Sequence, residues 1–293
     1  MTLYLTGAAF RRALEDRLRS RNLQSGTPLV RLRKKVAFDR FLARLILLQP
    51  DQWVLKGGFA IELRLNDKAR TTKDIDVLVL DNNIDILSAL RNAGALDLSD
   101  WFQFVVQPVE FRFLDEIGNL RFNIRSLLDG RTFEEFHIDV GIGDPVIDPI
   151  EYLEGPSLLD FTGIRPTLIP CYPVTQQIAE KLHAYTRPHA SGESSRVKDF
   201  VDILVLAGLG NIDPDRLLQA IRATFDTRNT HPLPHAFPDP PSEWSRPYQK
   251  LSAQVSLIYR TLDEANKAIK DFMNPLLAGE ATHPWEPDRW AWL

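Results

Sequence analysis

Cysteine is almost missing from this sequence: Cys171 is the sole one in 293 residues. An intrachain disulfide framework and a cysteine-rich zinc site are therefore both excluded. No run approaches the ~20 consecutive apolar residues that a membrane-spanning helix requires, so no membrane partner is expected. Met1 to Phe10 is followed by Arg11-Arg12-Ala13-Leu14-Glu15 and not by a small-residue cleavage site, which makes a cytoplasmic protein the expectation. Neither G-x-x-x-x-G-K-[ST] nor G-x-G-x-x-G occurs, so P-loop and Rossmann readings lack support. Histidine is scarce too: His183 and His189 have no partner at metal-ligand spacing, and prolines separate His231 from His235.

What is present is ordinary globular material, 44% hydrophobic and 25% charged, with length enough for one large domain or two ordinary ones. The charge is unevenly spread. Residues 1–50 hold eleven Lys or Arg against three acids, +8, which leaves −12 for the remainder of a chain of net charge −4. That asymmetry predicts either a polyanion-facing surface or a solvated helical face.

Apolar spacing predicts helices over 7–22 and 29–48, then a short strand at Trp53-Val54-Leu55. Lys56-Gly57-Gly58 leads into a helix beginning near Phe59. A polar loop, 66–72, precedes the β-branched run Ile75 to Leu80, and a helix follows over 83–93. Strands are expected at 101–114 and 120–127 around a hairpin turn at 115–119, at 136–140 and at 164–169. Beyond Pro170 the pattern becomes helical: 174–187, 196–207, 213–225 and a final helix over 248–272, after a Pro-rich loop at 231–247. The chain thus reads as a mixed α/β part, 1–165, and a helical part, 166–293. The C-terminal Trp285, Trp290 and Trp292 are expected to pack onto the body, and Cys171 to act as a small hydrophobe.

Asp74 and Asp76 open an apolar strand. Strand residues i and i+2 share a face at ~6.6 Å, and two carboxylates so placed repel unless a cation lies between them. Mg²⁺ accepts such oxygen ligands together with substrate phosphates. A lone D-x-D is also the pattern of a surface loop or cap, but a solvated loop does not explain the strand behind it. Gly57 and Gly58 at a strand-to-helix junction let backbone amides approach phosphate, although a tight turn needs the same residues. Arg70 and Thr72 precede the carboxylates, and Arg70 adds positive charge where a triphosphate would lie. Asp139, between Ile138 and Val140, is costly in a buried strand unless paired or on a metal. Three carboxylates from two strands suit two-metal nucleotidyl transfer. His137 beside Asp139 reads as a packing residue.

Leu55-Lys56-Gly57-Gly58, Arg70-Thr71-Thr72-Lys73-Asp74-Ile75-Asp76 and Ile138-Asp139-Val140-Gly141-Ile142-Gly143-Asp144-Pro145 resemble the AbiEii family, toxins of type IV toxin–antitoxin systems that include the MenT-type nucleotidyltransferases. Ile178-Ala179-Glu180-Lys181-Leu182-His183-Ala184 and Arg196 to Leu204 resemble the family's later helical motifs. The matches run in family order from about 54 to 204. The resemblance implies an α+β fold: a DNA polymerase β-like nucleotidyltransferase core with a mixed sheet, basic N-terminal helices and a helical C-terminal domain. It implies Asp74 and Asp76 as principal metal ligands with Asp139 as the third carboxylate, and Lys56, Gly57 and Gly58 along the nucleotide phosphates. Lys181 would reach the active site from the helical part, oriented by Asp202 or, less directly, Asp199. An NTP would be the substrate with Mg²⁺ as cofactor, an RNA the acceptor (the 3′ end of tRNA), and a nearby-encoded antitoxin the partner. Thr72 would be a control point that an antitoxin could phosphorylate. Phe59 departs from the pattern, since relatives often carry Ser or Thr after the two glycines; so does Ile203, where Leu is usual. Two other readings compete: a small-molecule nucleotidyltransferase of the aminoglycoside type, against which the +8 segment argues, and a catalytically silent partner-binding module.

Overall fold

The computed structural model describes residues 4–65, 69–108, 119–147, 149–188 and 196–293. Residues 66–68 of the polar loop, 109–114 of the expected third strand, turn residues 115–118 and His189 lie outside the described residues. Two compact units are present. The first gathers Met1–Asp67, Thr71–Gly143 and Glu151–Cys171; the second gathers Lys68–Arg70, Asp144–Ile150 and Tyr172–Leu293.

The first unit is α+β. Its helices are α1 (Gly7–Ser25), α2 (Leu29–Leu48), α3 (Gly57–Leu65) and α4 (Ile86–Ala95). Its strands are β1 (Trp53–Lys56), β2 (Ile75–Val79), β3 (Phe102–Pro108), β4 (Leu120–Leu128), β5 (Arg131–Ile142), β6 (Glu151–Glu154) and β7 (Leu168–Cys171). They form one mixed sheet in the order β3-β4-β5-β2-β1-β7-β6. The β2–β5 and β1–β7 pairs are parallel, and the other pairs antiparallel. Alternation decides the faces. Ile75, Val77 and Val79 of β2 and Ile138 and Val140 of β5 enter a core shared with Phe38, Phe41, Leu42 and Leu45 of α2. Phe136 packs edge-on against Phe38 at 4.9 Å. The neighbouring residues of the same strands, Asp76 and Asp139, must therefore point to the opposite face.

The expectation of a polyanion-facing surface fails for α2, because its cations are neutralised inside the unit. Arg31 and Lys35 share Glu62 at 2.6 and 3.3 Å. Arg33 pairs with Glu15 at 2.6 Å and Lys34 with Glu134 at 3.4 Å. Arg44, fully buried, places all five of its N–H groups on Asp100 and the carbonyls of Arg40, Leu96 and Phe102. A buried cation is tolerable only when paired, and most of the acids that pair with these lie far away in sequence. The exposed arginines of the segment, Arg12, Arg17, Arg19 and Arg21, all belong to α1.

The second unit holds α5 (Val174–Thr186), α6 (Val197–Ala207), α7 (Pro214–Arg228), α8 (Ser245–Gln254), α9 (Leu262–Leu277) and a two-stranded ribbon, β8 (Trp285–Glu286) with β9 (Ala291–Trp292). The single final helix expected over 248–272 is two helices. Ser256 takes φ 55°, and Thr261 with Glu264 forms a complete capping box that starts α9 afresh. Trp285, Trp290 and Trp292 do pack onto the unit: their indole N–H groups donate to the carbonyls of Ala207, Ala268 and Phe272. Cys171, in the first unit, is buried, and that burial pushes its thiol up to about 12.

Candidate active site

Strand register assembles the site. Lys56 on β1 stands opposite Asp76 on β2. Asp76 stands opposite Asp139 on β5, and Asp139 opposite Arg121 on β4. Four charged residues on four adjacent strands therefore form one row across the sheet, in the sense + − − +, on the face away from α2. Asp139 owes its tolerance in a strand to Arg121, whose Nε and Nη2 donate to its two carboxylate oxygens at 2.7 and 2.6 Å. That hydrogen bond, opposed by partial burial and helped by the charges of Asp139, Asp74 and Asp76, raises the Arg121 pKa.

Gly57 is required where it stands. Its φ is +65°, and a Cβ there would overlap the Asp76 carboxylate. The turn that begins α3 thus lies directly against the acid, with Gly58 buried behind it. Lys56 reaches across the row: its Nζ would lie 2.9 Å from a Cβ built on Gly141 of β5. Phe59, the departure from the family pattern, is fully buried and packs edge-on against Phe38 at 5.0 Å. It serves the core and presents nothing to the site.

Asp74 lies just before β2, and its Oδ1 is 3.2 Å from Nδ1 of His137. Both side chains are partly exposed, 36% and 43%. With Lys73, Asn123 and Gln107 they line an open cleft of about 360 Å³. Sequence reasoning assigned His137 to packing; the strand register that brings it beside Asp74 is a long-range fact. Arg121 was missed altogether. Its signal was indirect, an acid in an apolar strand that had to have a partner. Thr72 is buried, and its hydroxyl donates to the Asp74 carbonyl at 3.4 Å.

The second unit carries its own charged group. Asp199 and Asp202 are one turn apart on α6 and so share a face. Lys181 on α5 donates to both, at 2.9 Å each. Arg70 holds Asp202 from the other side, Nε to Oδ1 at 2.9 Å and Nη2 to Oδ2 at 2.7 Å. Burial alone would lower the lysine pKa, but the two carboxylates outweigh it and hold Lys181 above the ordinary lysine value. Asp202 likewise stays below the usual carboxylate range: Lys181 and Arg70 outweigh its burial. The expected site residues therefore fall into two groups. Lys56, Gly57, Gly58, Thr72, Asp74, Asp76 and Asp139 lie in the first unit; Arg70, Lys181, Asp199 and Asp202 lie in the second.

The family model for the nucleotidyl transferase AbiEii toxin of type IV toxin–antitoxin systems matches residues 40–292. This chain belongs to the AbiEii family. Among solved structures, the AbiEii-family chain is similar to MenT4, a nucleotidyltransferase toxin from Mycobacterium tuberculosis H37Rv. The TM-score is 0.54 at 16% identity, over 94% of this chain and 99% of that one. It is also similar to a putative nucleotidyltransferase from H. pylori, with TM-score 0.50 and 16% identity, over 88% and 100%. At such identities the likeness concerns the fold. No curated protein matches the sequence.

The donor chemistry of this AbiEii-family row suits a hard divalent ion held jointly with substrate. Asp74 and Asp76 offer carboxylate oxygens that are not fully buried, and Mg²⁺ typically takes one or two carboxylates, several waters and phosphate oxygens. Among the described residues no three Asp, Glu, His or Cys side chains are gathered so as to hold an ion by themselves.

Proposed function

We propose that this AbiEii-family toxin transfers nucleotides from an NTP to RNA, with the 3′ end of a tRNA as acceptor. Blocked aminoacylation and arrested translation would follow, in the cytoplasm, under the control of a cognate antitoxin. The observation that carries the reading is the row itself: Asp76 and Asp139 adjacent across two strands, Asp74 two residues upstream, and the Lys56-Gly57 turn pressed against Asp76.

In this reading Asp74 and Asp76 hold Mg²⁺, which when bound polarises the attacking hydroxyl and offsets charge on the triphosphate. Asp139, the third carboxylate, would enter an ion's coordination with both of its oxygens already accepting from Arg121. Lys56 and the backbone amides after Gly57 bind nucleotide phosphate. Arg70 adds charge near the triphosphate only if it releases Asp202. Lys181 is cationic at every physiological pH, and Asp202 and Asp199 orient it for charge stabilisation. Thr72 stands two residues before Asp74; a phosphate on its hydroxyl would add about −1.5 to −2 charges at the site and silence it.

The experiment is incubation of the purified chain with each labelled NTP in turn, Mg²⁺ and total RNA, followed by sizing of the product. Label on a tRNA-sized band, lost with Asp76→Asn, is the expected result. Label passing to an aminoglycoside and never to RNA would replace the acceptor assignment.

A further inference from the structure

The outer end of the carboxylate row is built differently from its centre. Asp139 has both oxygens occupied by one planar guanidinium, at 2.7 and 2.6 Å, and the pair is partly exposed, Arg121 at 30% and Asp139 at 16%. Bidentate pairing of this kind is strong and fixes orientation as well as charge. A guanidinium has five N–H donors. The side-on pair with Asp139 uses two, and planarity turns the other three, both on Nη1 and the second on Nη2, away from the carboxylate. No carboxylate or carbonyl takes them among the described residues.

For Asp139 to bind an ion it would have to share its oxygens with a guanidinium already in contact, placing two cations side by side. Nothing in the row demands this. Mg²⁺ is content with two carboxylates, and no three-donor cage exists among the described residues. The outer edge of Arg121, by contrast, has the geometry that matches phosphate oxygens. We propose that Asp139 is a positioning residue that holds Arg121 in place and is not a metal ligand, and that Arg121 binds a phosphate of the nucleotide through its outer N–H edge. This rests on the nucleotidyl-transfer reading above and revises one ligand of it. Ion binding then falls to Asp74 and Asp76, while Asp139 holds Arg121 at the end of the row opposite Lys56.

The test separates ion from phosphate. Mn²⁺ alone is titrated into the full chain and read by electron paramagnetic resonance; inorganic tripolyphosphate with Mn²⁺ is then titrated and read by calorimetry. Asp139→Asn, which keeps an oxygen for Arg121, should leave Mn²⁺ affinity within about threefold, whereas Asp76→Asn should lower it at least about tenfold. Arg121→Gln should weaken tripolyphosphate about ten- to a hundredfold while leaving Mn²⁺ unchanged or tighter. Asp139→Asn should weaken tripolyphosphate by less. The double variant should be no worse than Arg121→Gln alone, as a residue acting through another requires. An Asp139→Asn variant that loses Mn²⁺ as severely as Asp76→Asn overturns the proposal, as does tripolyphosphate binding indifferent to Arg121→Gln. If Mn²⁺ binding survives both Asp74→Asn and Asp76→Asn, the two-carboxylate ion site fails instead, and the Arg121 contact is judged by tripolyphosphate alone. Melting temperatures identify any variant whose losses come from unfolding.

Discussion

At Gly57 the backbone and a carboxylate compete for one volume. The left-handed φ of +65° is available to glycine at little cost, and the space a methyl would fill belongs to Asp76. Gly57→Ala therefore meets two penalties. Backbone strain contributes about 1–2 kcal/mol, and the displaced Asp76 carboxylate moves out of the row. We expect a lower melting temperature together with transfer reduced by more than the unfolded fraction explains, both read on the same preparation. Retention of wild-type turnover would show that Asp76 need not sit against the turn. Gly26 is a useful contrast: its φ is similar, +70°, but a methyl placed on it would meet no atom within 4 Å, so alanine there bears the backbone cost only.

Helices α5 and α6 are joined through charge as well as apolar contact. Lys181 bridges Asp199 and Asp202, while Arg196 also holds Asp199 at 3.1 Å and Arg70 also holds Asp202. A residue tied in this way holds the helix pair in addition to the nucleotide role proposed for it. Lys181→Ala leaves each carboxylate with one arginine, so the expected stability loss is moderate, about 1–3 kcal/mol, in urea unfolding followed by circular dichroism. Transfer should fall further than this loss explains. A variant that unfolds at wild-type urea concentration would show that the bridge contributes nothing to the helix pair. The same reasoning separates α1 from α2 in the other unit. Helix α2 has its cations turned inward to Glu62, Glu134 and Asp100, whereas α1 keeps Arg12, Arg17, Arg19 and Arg21 exposed.

For the molecule as a whole, that division predicts where salt dependence would reside if RNA is the acceptor, as proposed. Arg17 and Arg21 are four residues apart on α1 and line an open groove of about 730 Å³. Neutralising both should reduce the slope of log affinity against log salt by ~0.7–0.9 per lost phosphate contact. Neutralising Arg31 and Lys35 should instead lower the melting temperature, because Glu62 would be left buried without a partner. A slope that ignores Arg17 and Arg21 would remove α1 from the proposed RNA contact. Stability against pH has its own marker. His183 is buried, and burial first, then the charge of Arg228, holds its pKa down to about 3; His231, Arg187 and Asp144 also act on it. The unfolded chain takes up this proton near pH 6.5, whereas the folded chain refuses it until about pH 3. The contribution of His183 is therefore fully present above pH 6.5 and is lost as pH falls through that window. Melting temperature should drop between pH 7 and 5, and His183→Asn should flatten the drop; an unchanged profile would locate the acid sensitivity elsewhere.

Local signals were sufficient for much of this protein. Hydrophobic spacing outlined α2, α5 and α6, the β-branched run from Ile75 marked a buried strand, and the motif order from Lys56 to Leu204 led to the AbiEii family and to its α+β fold. These are properties of neighbouring residues, which a linear chain displays directly. The capping box of Thr261 and Glu264 was equally legible, and overlooking it merged α8 with α9. Strand register was not legible, because it depends on residues that the chain brings together from tens of positions apart. Only the sheet placed Arg121 on Asp139, His137 beside Asp74, and Lys56 in line with Asp76. Only packing decided the fate of the basic segment. A charge count cannot tell a solvated arginine from Arg44, whose desolvation is offset by the carbonyl of Arg40 one turn back and by Asp100 and the carbonyls of Leu96 and Phe102, all distant in sequence.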